Sequence, residues 1–373
     1  MAAPEESEWE AWMVETLSLY DDLHVFELQE ATRVLEWIHK TGVCVAGYGS
    51  GRRNEILQLA LPQKLSAKQK QVRDFCPDRD FRVDGGGFSH RPVYQLKHVP
   101  GTSLLVTSGP PDTSLQVWTL GAGDSDSVRL QSSWPLTGPA GSGWSRLSVT
   151  GPPSPRVLHG STVTDLSLLD LHTRTELTTA APTGLDAGES VSGLALLDSC
   201  TFLLCTESGR LGIGDTRQCP ALTSPPSPAA GAGHWTMALE PGGTAVARLS
   251  SSGQLVLTDR RDLSTALARA QMDITQTPDN TDHLCLTWAP HLRHHLAVSG
   301  FDGSVRVYNA ARWSESPVRA EPVIVHRGHG LGTGSEQPLV TAHTWVPGHQ
   351  RALLSAATDG SLHLWGWAGG RGA

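Results

Sequence analysis

Short runs of alternating or continuously apolar residues, closed by Gly, Pro, Asp and Ser, recur along most of the chain. Such runs read as strands and their punctuation as tight turns. Near the C-terminus two stretches align as strand, strand, turn, strand: LCLTWAP, LAVSGFDG and SVRVYN over 284–309, then VTAHTWVP, LLSAATDG and SLHLWGW over 340–367. In both, an Asp-Gly pair (Asp302-Gly303, Asp359-Gly360) separates the second run from the third. A hairpin needs residues tolerant of positive φ at that place. The same template, carried backwards, fits 233–259, 190–217, a weaker pair within 144–171, 93–120 and 33–62, which makes seven units.

Self-similarity at this period is the signature of a radial β-repeat. The third strands fall near Ile56, Leu115, Leu166, Leu211, Leu255, Val305 and Leu362, 44 to 59 residues apart. Most of those spacings exceed the roughly 40–45 residues of a WD40 repeat. The excess predicts long loops near 63–80, 121–155, 219–234 and 328–338, where Gly, Pro and Ser collect. Length alone would allow one large domain or two small ones. The repeats favour a single all-β, seven-bladed WD40-like β-propeller over 23–373, preceded by an acidic segment over 1–22.

The chain stops just after the third strand of the last unit, whereas earlier units are followed by a fourth candidate such as DFRVDGG at 80–86 or PVIVHRGH at 322–329. An open ring would leave unpaired strand edges. LHVFELQ at 23–29 is therefore expected to supply the outer strand of the last blade, so that the two termini meet in one sheet. Ahead of it, SEWEAWMVETLSLY at 7–20 reads as a short amphipathic helix with Trp9, Met13, Leu17 and Tyr20 on one face. Glu5, Glu6, Glu8 and Glu10 suit its N-terminus. That face packs on the propeller edge or, with Trp12, docks a partner.

Candidate chemistry narrows to a structural set. WD repeats tie each blade together with His before the first strand, Ser or Thr on the second, Asp in the tight turn and Trp on the third. The last unit supplies His329, Ser355, Asp359 and Trp365. Removing one member would leave a buried partner unsatisfied at a cost of about 1–3 kcal/mol. The second unit keeps a partial set, Ser108, Asp112 and Trp118, and the sixth keeps Asp302 with Tyr308 in place of Trp. A hydrolase triad could be drawn from Ser355, His329 and Asp359 by residue type. A nucleophile belongs on a strained, exposed turn, and Ser355 lies mid-strand, so the set reads as structural and the protein as no enzyme.

Other features carry less. His283, His291, His294 and His295 cluster around the sixth unit without ligand spacing for zinc and read as surface loop histidines. GHGLGTG at 328–334 lacks the GK[ST] ending and following helix of a phosphate loop. No cofactor or metal set is read. Lys64, Lys68, Lys70 and Arg73 form a basic run that reads as a solvated loop or as a contact to an acidic partner. The net charge of −8 argues against nucleic acid as a direct ligand. No apolar run approaches a membrane span, and the N-terminus lacks the basic n-region of a signal peptide. Six cysteines without CxxC spacing read as reduced core thiols. A soluble intracellular monomer that binds other proteins is expected.

The whole chain resembles the WD repeat-containing protein 73 family. The resemblance is carried by WMVETLSLYDDLHVFEL at 12–28, ATRVLEWIHKTGVCVAGY at 31–48, NEILQLALP at 54–62, LLVTSG at 104–109, SGRLGIGDTRQ at 208–218, LAVSGFDGSVRVYNA at 296–310 and HTWVP at 343–347. It implies a non-catalytic scaffold that resides in the cytoplasm and assembles the RNA endonuclease module of the Integrator complex by binding its endonuclease heterodimer. It also implies an alternative: regulation of microtubule organisation through tubulin or microtubule-associated proteins, at spindle poles and the cleavage furrow.

Overall fold

The computed structural model describes residues 18–47, 53–62, 80–121, 128–135, 144–178, 184–186, 188–217, 233–274, 280–331 and 337–369. Seven antiparallel sheets follow one another as blades. Blade 1 comprises Thr32–His39, Gly42–Gly47, Asn54–Ala60 and Arg82–Ser89; blade 2, Gln95–His98, Leu104–Gly109, Asp112–Thr119 and Arg129–Trp134; blade 3, Arg146–Thr150, Arg156–Gly160, Ser167–Asp170 and Thr175–Thr178. Blade 4 has Val191–Leu196, Thr201–Thr206 and Leu211–Asp215 among the described residues. Blade 5 has Trp235–Leu239, Ala245–Ser250, Gln254–Asp259 and Asp262–Met272, with Val318–Ala320 added in parallel at its edge. Blade 6 has Cys285–Trp288, His295–Ser299, Val305–Asn309 and Pro322–His326; blade 7, Val340–Trp345, Ala352–Ala357 and Ser361–Trp367.

The first strand of each blade lies against that of the next, and blade 7 against blade 1, so the seven first strands close around one axis. Burial follows that geometry. Second strands are covered on both faces and read as continuous apolar runs, as in Gly42–Gly47, where every residue is buried. Outer strands alternate instead, as in Asp262–Met272.

Blade 7 takes its outer strand from the N-terminus. Tyr20–Glu27 pairs antiparallel with Ser361–Trp367, from Tyr20 opposite Trp367 to Glu27 opposite Ser361. The expected closure is present, three residues earlier than the sequence suggested. A register shift between Tyr20 and Asp22 inserts one extra residue, and because side chains alternate along a strand it re-aims Tyr20 to the opposite sheet face. Phe26 consequently packs into the cluster between blades 7 and 1 with Leu59, Phe81 and Leu362. Tyr20 packs into the cluster between blades 6 and 7 with Trp345, Trp365 and Trp367. One short strand thus seals both flanks of the last blade.

Several expectations need correction. Tyr20 belongs to the closing strand, not to the helix expected over 7–20, most of which, with Trp9 and Trp12, lies outside the described residues. The stretch 121–155 is not one loop, since it contains Arg129–Trp134 and Arg146–Thr150. His283 is buried rather than a surface histidine. Cys44 and Cys205 are buried free thiols, whereas Cys200 and Cys285 are only partly covered.

Candidate functional site

His329 stands on the short 3-10 turn Gly328–Leu331 that leads from blade 6 into blade 7. Its Nε2 lies 2.8 Å from Ser355 Oγ and its Nδ1 2.6 Å from Ser361 Oγ. Trp365 Nε1 donates to Ser355 Oγ at 3.2 Å, and Asp359 Oδ1 accepts from Ser361 Oγ at 2.6 Å. The proton order is determined by the two ends, since an indole only donates and a carboxylate only accepts. The indole N–H donates to Ser355, whose hydroxyl donates to His329 Nε2. The Nδ1–H of His329 donates to Ser361, whose hydroxyl donates to Asp359. Asp359 therefore reaches His329 through Ser361 rather than directly, and it is exposed, not buried as the sequence reading assumed. Ser355 is fully buried beneath Trp365. The arrangement ties two strands, the turn between them and a connector together, and its serine is buried.

Two further histidines extend this cluster. His326 accepts or donates at both nitrogens, to Tyr20 Oη at 2.6 Å and to His363 Nδ1 at 3.1 Å. The His329 and His363 rings stack at 3.8 Å and 12°, and His326 stacks on Trp365 at 4.5 Å. Nitrogens of His326, His329 and His363 lie within 4.8 Å of one another, the separation a metal site would need. Parallel stacked rings cannot both point an in-plane lone pair at one ion, and both His329 nitrogens are already hydrogen-bonded. The cluster is a hydrogen-bonded latch on which the closing strand is fastened by Tyr20. Burial pushes the His363 imidazole down to about 4 and holds His326 and His329 well below the ordinary range.

The partial sets differ from their expected form. In blade 2 Trp118 Nε1 donates to Thr107 Oγ1 at 2.9 Å, whereas Ser108 donates to the Ser145 carbonyl of the next blade. A register shift between Thr107 and Gly109 adds a residue to the turn ahead of Asp112. Counting residues from Asp112 therefore selected Ser108, one position late. In blade 6 Asp302 accepts from Ser304 Oγ at 2.6 Å and from Arg306 Nη2 at 2.5 Å. Tyr308 is buried, its hydroxyl pushed up to about 12. A histidine missed in the sequence, His343, joins blades 6 and 7 through Ser299 Oγ at 2.7 Å and Thr287 Oγ1 at 2.8 Å. Lys64, Lys68, Lys70 and Arg73 lie outside the described residues.

A second constellation, also missed, occupies the mouth of the central channel on the face where chain connectors enter the first strands. Arg33, near the start of blade 1, places its guanidinium 3.5 Å from the Tyr94 ring centre just ahead of blade 2. Tyr94 meets Trp144 edge to face at 5.4 Å, and Arg146, which opens blade 3, lies 3.8 Å over Trp144. Asp282, on the turn that enters blade 6, stands 3.5 Å from Arg33 Nη2 and 3.6 Å from Arg146 Nη2. Residues from four blades thus form one row: guanidinium, phenol, indole, guanidinium, with a shared carboxylate. Burial lowers the Arg146 guanidinium, opposed by Asp282 and Glu207. Such stacking is worth about 0.5–2 kcal/mol per pair. Each of these residues falls at or just before a first strand, which is the positional signal that would have found them.

Comparison with known proteins decides the family. No protein-family model matches the chain. A Homo sapiens protein called Integrator complex assembly factor WDR73 is 43% identical over 371 residues, covering 95% of this chain and 97% of its own. Proteins of the same name from Mus musculus and Danio rerio are 43% and 41% identical over 96% and 95% of this chain. The chain belongs to the WDR73 family. The match covers 95% or more of this chain in each of these relatives, so it is a match to the ring and not to a single blade.

Proposed function

We propose that this protein is a non-catalytic assembly factor that serves the Integrator complex by holding a folded protein partner against its propeller. More finely, it stabilises the RNA endonuclease heterodimer of that complex while the module is put together in the cytoplasm. The observation that carries the assembly-factor reading is the similarity, over about 95% of the chain, to relatives named Integrator complex assembly factor. A rigid ring supports it physically, because its turns and connectors present side chains from a frame that does not have to order on binding.

The test is co-expression of the tagged full chain with the two endonuclease subunits, followed by purification. Recovery of a stoichiometric complex, and a loss of soluble heterodimer when the chain is depleted from cells, are the expected results. Unchanged heterodimer levels without the chain, together with no co-purification, would overturn the reading. The microtubule alternative would need an acidic surface to meet a basic one such as Lys64, Lys68, Lys70 and Arg73, which lie outside the described residues, and no observation on the described residues favours it.

A further inference from the structure

The channel-mouth row is short of acceptors. Two guanidiniums carry many more N–H donors than one carboxylate can take up. Arg146 Nε donates to the Val191 carbonyl at 3.2 Å, and among the described residues Arg33 makes no hydrogen bond through its guanidinium. Asp282 stands at ion-pair distance from both, too far for a short charge-assisted bond to either. Both arginine side chains are nearly covered, at 13% and 12% exposure, while Asp282 is 30% exposed. The donors are thus largely desolvated, each guanidinium packed on an aromatic ring, and Asp282 is the more exposed member of the row.

We propose that this row is a receptor for a carboxylate side chain on an acidic segment of a protein partner, and that Asp282 is a resident carboxylate with which the incoming one competes. The chemistry favours a carboxylate. A guanidinium binds one through two parallel N–H bonds, and Arg, Tyr and Trp are the residues that dominate binding energy where water is excluded. A nucleic acid is disfavoured, because nucleic-acid binding draws on many cationic side chains along the phosphate backbone, and this row offers two guanidiniums in a chain of net charge −8. The proposal rests on the partner-binding reading only in taking the ligand to be a protein. The assay below reads the site and the co-purification reads the assembly role, so either can fail alone.

The probe is a fluorescein-labelled peptide, Gly-Ser-Asp-Glu-Asp-Gly-Ser, titrated with the full chain and followed by anisotropy beside its amide counterpart, Gly-Ser-Asn-Gln-Asn-Gly-Ser. Thermal melts first establish that each variant is folded. The acidic peptide is expected to bind and the amide peptide not. Arg33→Gln and Arg146→Gln should each weaken binding about tenfold or more, with Arg33→Lys between them and the parent. Asp282→Asn should tighten binding by about threefold or more, since it removes a like charge beside the incoming carboxylate. A row that served only as a brace would give the opposite result for Asp282→Asn, with a lower melting temperature and no gain in affinity. That result, equal binding of the two peptides, no binding of the acidic peptide to the parent, or a preference for a phosphoserine version of the peptide would each overturn the proposal.

Discussion

Lowering the pH from 7.5 to 5.5 is expected to remove several kcal/mol of the protein's stability, well before its carboxylates titrate. Six imidazoles, those of His159, His283, His326, His329, His343 and His363, are buried or nearly so. Burial, ahead of neighbouring charge, holds all six below the ordinary value: His159, His283 and His363 to about 4, His343 to about 3, and His326 and His329 downward likewise. Above about pH 6.5 neither folded nor unfolded chain protonates these groups, and stability does not depend on them. Between there and the folded values, the unfolded chain takes up protons that the folded chain refuses. Stability therefore falls as pH falls through that window.

At pH 5.5 linkage gives on the order of 1 kcal/mol for each such imidazole. Six together reach several kcal/mol, a large share of the stability of a typical folded protein, about 5–15 kcal/mol. The turn carboxylates Asp170, Asp198, Asp215, Asp259 and Asp262 are held below their usual range by hydrogen bonds and arginines. They add to the loss only at pH values below about 4. Urea unfolding at pH 7.5, 6.5 and 5.5 measures the effect. His159 offers the internal control, because both its ring nitrogens lack a hydrogen-bond partner and its neutral ring only approaches Glu176, at 3.7 Å. His159→Leu should recover about 1 kcal/mol relative to the parent between pH 7.5 and 5.5. A flat parent profile, or a His159→Leu profile parallel to it, would refute the reasoning.

Other consequences concern single hydrogen bonds. Tyr20→Phe removes the hydroxyl on His326 Nδ1 and should cost about 1–3 kcal/mol in urea unfolding, while deletion of residues 18–27 should leave blade 7 with an open edge and the chain aggregating in light scattering. Ser361→Ala should destabilise more than Asp359→Ala, since it strands the buried Nδ1–H of His329 whereas Asp359 lies at the exposed end of the chain of bonds; the reverse order of melting temperatures would disprove that proton order. Thr107→Val should cost about 1–3 kcal/mol and alter the near-ultraviolet circular dichroism of Trp118 by orphaning its indole N–H, whereas Ser108→Ala should leave that signal unchanged.

The number of blades and their third strands were legible because the signals are local. Apolar alternation and Asp-Gly turns are read within ten residues, and Ile56, Leu115, Leu211, Leu255, Val305 and Leu362 all fall on third strands. The closing strand was legible by a different argument, that a ring with an unpaired edge is unstable, and its position was missed by three residues because a bulge at Asp21 hides the alternation. Bulges defeat residue counting in blade 2 as well, where Thr107 holds the indole instead of Ser108. The latch was half legible. His329, Ser355 and Trp365 follow a repeat rule, but nothing in a repeat announces that His326 and His363 will stack around them, or that Tyr20 will cap the array from the far end of the chain.

The channel-mouth row was illegible for a deeper reason. In a linear array a residue at the start of a first strand meets only the adjacent repeat. In a closed ring all first strands converge on one axis, so Arg33, Tyr94, Trp144, Arg146 and Asp282, drawn from blades 1, 2, 3 and 6, come together although no two of those blades beyond 1, 2 and 3 are neighbours. Their contacts are a property of closure and not of any repeat. Blade 6 reaches blade 1 around the ring only through blade 7, and blade 7 is complete only with Tyr20–Glu27 in place. The distance from Asp282 to Arg33 is therefore set partly by the closing strand. Weakening the latch should loosen the row before it unfolds any blade. Tyr20→Phe should accordingly lower the affinity of the acidic peptide as well as the stability of the ring, whereas Thr107→Val, which acts inside blade 2, should lower stability alone.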